Sequence, residues 1–309
     1  MMMSHRWSNF CFQKKEDLLQ AKPLSSMADF QSKGLTMLQL NQETIQTGFR
    51  QLGICEGDVV LVHSDLLRLG IPEQAKNREA ILNFYLNAFQ SILGKKGTIA
   101  VPAYFYEYAR HGIPFDTEYS PVSKSLGAFS AHICTLQGKV RSGNPLQSIA
   151  AIGPHAEYIS GGNSLSGYGI NSPWHRLHSL NAKMVFIGIG METMTYVHHI
   201  EQEVGVPHLY FKVYPYPVTR GDNPIPGYPV SAVRYLNYGI EYNLKPFESL
   251  LLQRGLARSI SVGKGNILSV STEDTFQEGV KYLENNIYAF LQAPPKFIAG
   301  QIPFDGVPK

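Results

Sequence analysis

Apolar positions recur along this chain in two alternating rhythms. From Thr36 onward, Leu38, Leu40, Ile45, Phe49 and Leu52 fall at helical spacing and Gly53 ends the run, which predicts a first helix. The apolar run Val59, Val60, Leu61, Val62 then predicts a buried strand that ends in His63, Ser64 and Asp65. Residues 78–93 read as an amphipathic helix closed by Gly94, and residues 97–104 as a second buried strand. A helix over 125–136 and a strand over 148–152 follow. A third buried strand, 184–190, ends in glycines where a helix carrying His198 and Glu201 begins. The stretch 205–240 breaks the rhythm: dense in proline and tyrosine, it predicts an excursion of loops and short strands. The pattern resumes with a strand near 263–270 and a helix over 274–291, and residues 294–309 read as an irregular strap.

Buried strands alternating with helices predict a layered α/β protein, with its chemistry at the carboxyl ends of the strands. Residues 1–35 are polar and patternless, a flexible lead-in with room for a short helix around 14–21, and 36–309 are expected to form a single domain. There is no internal repeat and no low-complexity tract.

Composition narrows the function classes. With 309 residues, 44% hydrophobic and 17% charged, the chain has ample apolar surface for a core. A net charge of +3, spread without long runs, argues against a phosphate-tracking nucleic-acid binder. No apolar run approaches the ~18 residues of a membrane span, and the first thirty residues lack a secretory core. The three cysteines, Cys11, Cys55 and Cys134, form no CxxC pair, which fits a reduced, cytoplasmic setting.

Four clusters could carry chemistry. In Thr195-Tyr-Val-His198-His199-Ile-Glu201, a helix sets His198 and Glu201 at i and i+3 on one face, where a carboxylate orients an imidazole as a general base. The alternatives are a packed core histidine, or a zinc site that adds His175 or His178, although the spacing is not that of HExxH. The second cluster, Arg141-Ser142-Gly-Asn144-Pro145-Leu-Gln-Ser148, could hold a phosphate or carbonyl, or equally be a capped loop. His63-Ser64-Asp65 stands at a strand end, and Ser123-Lys124-Ser125-Leu126-Gly127 opens a helix as a candidate anion site. Cys134, in an apolar helix with no adjacent base, is a poor nucleophile.

Taken in order, these segments resemble the aminoglycoside 3-N-acetyltransferase family, the antibiotic N-acetyltransferases. The resemblance covers about residues 36–290. It runs through Gly57-Asp58 and VxVHS, Gly97-Thr98 with Pro102, Phe115-Asp116, SxxxSLGA, RSxNPxxSxxAxG, Gly169-Ile-Asn-Ser172-Pro173, the strand ending in Gly188 and Gly190, and TxxHHxE. It implies a layered αβα fold around a central mixed sheet, distinct from the GNAT fold. It also implies transfer of an acetyl group from acetyl-CoA to an amine, with no metal. His198 takes the place of the family's base and Glu201 that of its partner. By the same resemblance, CoA runs past His63, Ser64, Lys124, Ser125, Arg141 and Ser142. Asp65 stands where the family has a second hydroxyl, so Arg68 or Lys124 is expected to supply the cation.

The acceptor side is expected to be built from 205–245, with Asn144, Tyr210, Tyr214 and Arg234 facing the substrate. Across 203–250, Glu203, Asp222, Glu241 and Glu248 balance Lys212, Arg220, Arg234 and Lys245, a poor match to a polycation. The favoured reading is therefore an amino sugar or nucleotide-linked amino sugar of glycan biosynthesis, with Arg220, Arg234 and Lys245 available to meet a diphosphate. The alternatives are an aminoglycoside-resistance enzyme and a non-catalytic CoA-binding or assembly protein. A homodimer stays open. No acid between Gly227 and Gly239 stands where the family uses a second carboxylate, so Glu201 carries more of the support of His198 and a second supporting group stays open.

Overall fold

The computed structural model describes residues 40–303. The expected lead-in, its helix around 14–21 and the end of the terminal strap lie outside the described residues. In chain order the elements are α1 (Gln42–Gln51), β1 (Val59–Ser64), α2 (Arg78–Leu93), β2 (Thr98–Pro102), α3 (Glu107–His111), β3 (Phe115–Asp116), α4 (Gly127–Ile133), β4 (Val140–Arg141), β5 (Ile149–Ile152) and α5 (Ala156–Ser160). They continue with α6 (Pro173–Ser179), β6 (Lys183–Ile187), α7 (Val197–Val204), β7 (Leu209–Val213), β8 (Val218–Arg220), β9 (Asn223–Pro224), β10 (Val230–Arg234), α8 (Lys245–Gln253), β11 (Ala257–Val262), β12 (Gly265–Ser271) and α9 (Thr272–Asn285).

Seven strands form the main sheet in the order β11-β12-β6-β1-β2-β5-β4. The centre, β6-β1-β2, is parallel, and β12, β11, β5 and β4 join antiparallel, so the sheet is mixed as the resemblance implies. The strand alternation sorts the side chains to two faces. Val60 and Val62 of β1 pack with Phe49 of α1 and Phe89 of α2, whose rings stack at 4.3 Å. Leu61 and Phe186 face the other way, against Trp174 of α6, Ile200 of α7, Phe247 of α8 and Leu283 of α9. Each fully buried side chain of this size contributes about 1.5–3 kcal/mol. These two apolar layers hold the sheet between its helices, an αβα sandwich.

The helix ends follow local chemistry. Asn41 caps α1 through a bond from Thr44 N–H and Asn77 caps α2 through Ala80 N–H, while Gly205, at φ +78°, ends α7. Several elements lie outside the sequence expectations, β11, α8 and α6 among them. β11 is an edge strand paired on one side only, so its exposed Arg258 and Ser259 conceal the strand pattern. The helix α8 starts at Lys245-Pro246, at the end of the stretch expected on the acceptor side, and α6 starts at Pro173 behind Ser172. The last helix stops at Asn285, short of residue 291. The 205–240 excursion is made of short strands: β7 pairs with β10, and β8 with β3 and β9. Among the described residues, no helix is long and apolar enough to cross a membrane.

Candidate active site

The parallel strands β1 and β6 end side by side, and a glycine lets the two chain ends approach. Gly188, at φ +70°, lies where a Cβ would come within 2.4 Å of Asp65 O, so no other residue fits. Beyond it the chain turns into α7. His198 and Glu201 stand one turn apart there, and His198 Nδ1 meets Glu201 Oε2 at 2.7 Å. The Glu201 side chain is fully buried and that of His198 is 26% exposed.

Glu201 has more partners than the sequence reading gives it. His208 Nε2 lies 2.9 Å from Oε1, and the Tyr242 hydroxyl donates to Oε2 at 2.9 Å. Tyr242 also stands edge-on to the His198 ring, with centroids 5.0 Å apart. Burial alone would push the Glu201 carboxyl up. The hydrogen bonds from His198 and His208 outweigh it and hold the carboxyl below its ordinary value. An ionised Glu201 accepts from both rings, so His198 carries its hydrogen on Nδ1 and leaves Nε2 as the basic lone pair. Burial, then the Glu201 charge, raise Tyr242 well above a phenol's usual range, so it stays a donor.

His199 points elsewhere. Its Nδ1 bonds the Tyr168 carbonyl at 2.7 Å among Tyr196, His178 and Phe276, and burial pushes its imidazole down to about 4. The two adjacent histidines diverge, so they make no ligand pair. Among the described residues, no group of three or more His, Cys, Asp or Glu side chains is placed to hold a metal ion.

A groove of about 830 Å³ runs along the strand ends. Four of the residues expected at CoA line it: His63, Ser64, Lys124 and Ser125. Gly127, at φ +82°, brings the start of α4 against Ser64 O. The walls are apolar, with Leu67, Ile71 and Ile81, and Thr195 closes the side nearest α7. Burial pushes the His63 imidazole down to about 4; its ring stacks on Phe186, and its Nε2 is buried with no hydrogen-bond partner. Lys76 and Arg78, flanking the Asn77 cap of α2, add two cations that the sequence reading missed. Two cations around a helix cap were the available signal.

The remaining expected residues sit elsewhere. Arg68 pairs with Asp65 at 3.0 Å on the surface and does not line the groove. Arg141 is buried: its guanidinium donates to the carbonyls of Ala103, Ser120 and Pro121 and lies over the Phe115 ring. Ser142 is buried, its hydroxyl accepting from Ile149 N–H at 3.0 Å. Asn144 donates to the carbonyls of Leu165 and Val230 and accepts from Leu146 N–H. Tyr210 stacks on Tyr235 at 4.6 Å, Tyr214 packs on Tyr108, and Arg234 donates to Ile240 O at 3.0 Å. None of these lines the groove. The polar atoms of Arg141, Ser142 and Asn144, expected at ligands, are paired with the chain, the pattern of framework residues. Cys134 follows α4, and burial raises its thiol.

An imidazole oriented by a buried carboxylate, three residues after Thr195 of the strand-end groove, is an arrangement with the chemistry of general-base group transfer. A family model described as aminoglycoside 3-N-acetyltransferase matches residues 61–284, and the chain belongs to that family. It is an acyltransferase, with acetyl-CoA as co-substrate. Among the similar curated proteins is an aminoglycoside N(3)-acetyltransferase IV of Salmonella sp., 31% identical over 158 residues, or 51% of this chain and 57% of that protein. An aminoglycoside N(3)-acetyltransferase III of Salmonella sp. is 23% identical over 79% of this chain and 92% of its own. Among solved structures, AAC-IIIb in binary complex with CoASH aligns at TM-score 0.67 and 22% identity, covering 82% of this chain and 99% of its own. A variant of AAC(3)-IVa in complex with a gentamicin aligns at TM-score 0.69 and 23% identity, covering 84% and 94%. At these identities the structural likeness speaks for the fold.

Proposed function

We propose that the protein moves the acetyl group of acetyl-CoA to an amine of an aminoglycoside, with His198 as the general base. The observation that carries this reading is the 2.7 Å bond between His198 Nδ1 and the buried Glu201 carboxylate, on the helix whose His198 N–H donates to the carbonyl of Thr195, a residue of the groove wall. His198 Nε2 takes the amine proton as the amine nitrogen bonds to the thioester carbon and the carbonyl electrons move onto oxygen. Collapse of that tetrahedral species breaks the C–S bond, and His198 returns the proton to the departing sulfur. Thr195, on the groove wall one turn before His198, offers a hydroxyl to the oxyanion. Holding both substrates at once supplies the effective-concentration advantage of a ternary complex.

The groove fits the co-substrate chemically. Lys76, Arg78 and Lys124 suit phosphates, and the apolar walls suit the pantetheine arm. Asp65 is matched to Arg68, which offsets its charge near those phosphates.

For the acceptor, two of the three cations assigned to a sugar-nucleotide diphosphate are engaged: Arg220 with Gly162 O at 2.8 Å and Arg234 with Ile240 O. Negative charge also stands at the loop after β6. Glu192 and Glu248 accept from Gly190 and Met191 N–H, in the loop that brings Ile189, Thr193 and Thr195 to the groove. Together with the relatives' aminoglycoside chemistry, these observations favour a polycationic acceptor over a nucleotide-linked sugar. Because acetyl-CoA is supplied inside cells, the same reading puts the enzyme in the cytoplasm, and light scattering tests whether it works as a homodimer.

The test is thiol release from acetyl-CoA with gentamicin-type aminoglycosides, run beside nucleotide-linked amino sugars, with His198→Ala as control. Turnover of an aminoglycoside that disappears in the control is expected. Turnover confined to nucleotide-linked sugars overturns the acceptor, and turnover that survives His198→Ala overturns the base.

A further inference from the structure

The buried carboxylate of Glu201 lies between two imidazoles. His198 holds one oxygen at 2.7 Å and His208 the other at 2.9 Å, and the side chains of Glu201 and His208 are both fully buried. His208 stands just ahead of β7, where its carbonyl accepts from Tyr235 N–H, which ties it to the end of β10. Its second nitrogen, Nδ1, is buried and has no hydrogen-bond partner. The ring therefore carries its single hydrogen on Nε2, aimed at Glu201 Oε1.

A carboxylate with one free oxygen in an apolar site could rotate, or take up a proton, and either change would loosen its hold on His198. With Oε1 engaged by His208 and Oε2 shared by His198 and Tyr242, both oxygens of Glu201 are committed. We infer that His208 is a positioning residue for the base: its Nε2–H fills the second oxygen of Glu201 and so fixes the carboxylate that orients His198. This inference rests on His198 being the base. It supplies the support that the sequence reading sought in a second carboxylate between Gly227 and Gly239.

The groups facing Glu201 are His198 on α7, His208 ahead of β7, Tyr242 between β10 and α8, and Tyr168 from the loop before α6. Arg234 reaches Tyr242 electrostatically, and Tyr288 packs on the His208 ring. None of the others donates to Oε1, so removing His208 leaves that oxygen without a donor. The His198–Glu201 pair then takes up a proton more readily, wherever within the pair the proton rests, because its negative state has lost a hydrogen bond.

The experiment compares His208→Leu with His208→Gln, whose amide N–H reaches close to the imidazole Nε2 position. In acetyl-transfer assays, His208→Leu is expected to lower kcat about 10- to 100-fold, with KM for acetyl-CoA within about twofold. It should also move the acid limb of the kcat/KM profile up by about one pH unit, and His208→Gln should recover both. Histidine ring NMR of the ligand-free protein reads the same titration shift with no acceptor, so a wrong acceptor and a wrong role for His208 remain distinguishable. A His208→Leu protein with unchanged kcat overturns the inference. So does loss of rate with an unmoved acid limb, or a His208→Gln protein as impaired as His208→Leu.

Discussion

Two polar segments of this chain look alike in sequence and do opposite work. Arg141–Ser148 holds an arginine, two serines, an asparagine and a glutamine. Thr195–Glu201 holds a threonine, two histidines and a glutamate. In the first, the Arg141 guanidinium, the Ser142 hydroxyl and the Asn144 amide are each bonded to backbone and buried. In the second, His198 is held at one nitrogen only and remains partly open. Polar residues whose bonds all return to the chain build the frame around a site, whereas a polar atom held in place with one face free can act on a substrate. His199 shows the first behaviour inside the second segment.

The sharpest way to break this comparison is to delete each histidine. His198→Ala should lower kcat about 10³-fold while acetyl-CoA binding and the melting temperature change little, and His199→Ala should lower kcat less than about tenfold. The reverse order, measured by steady-state kinetics, would place the base on the wrong ring.

Arg141→Leu probes the frame. It strips donors from three backbone carbonyls and should cost about 3 kcal/mol of stability, read as a drop in the urea midpoint. The kcat of the molecules that remain folded should stay near wild type. A stable variant with a large rise in KM for acetyl-CoA would return Arg141 to the ligand.

Acid sensitivity separates the same two behaviours. Burial lowers His199 from 6.5 to about 4, so the unfolded chain binds the proton more readily across that window. Stability is complete above pH 6.5 and falls as pH drops toward about 4. His199 alone should contribute a loss of roughly 2 kcal/mol between about pH 7 and about pH 5. Urea unfolding at the two pH values should show a smaller loss in His199→Gln than in the wild type; equal losses would contradict a neutral, buried His199.

The smallest effects belong to the groove. Replacing Lys76 and Arg78 together by alanine should raise KM for acetyl-CoA about tenfold. Asp65→Ser, which frees Arg68 from an exposed ion pair, should change it less than about threefold. A larger effect from Asp65 than from the two cations would mean the phosphates lie at the β1 end of the groove.

Much of the architecture was readable because it is local. The apolar runs of β1, β2 and β6, the amphipathic α2 and the glycines at positions 53, 94 and 188 announce strands, helix and stops through near-neighbour chemistry. The His198–Glu201 pair was readable for the same reason, since i and i+3 on a helix are neighbours whatever the rest of the chain does. His208 and Tyr242 reach Glu201 from positions 7 and 41 residues away, through loops whose course no local pattern prescribes. The edge strand β11 was hidden because one unpaired side needs no apolar pattern. The fate of Arg141 and Asn144 was hidden because composition cannot distinguish a donor that faces a carbonyl from one that faces a ligand. The sequence alone determined the layers and the pairing of His198 with its first partner, whereas the folded chain decided which polar atoms are already satisfied. Hydrogen bonding is short-ranged and directional, and only tertiary packing sets who meets whom.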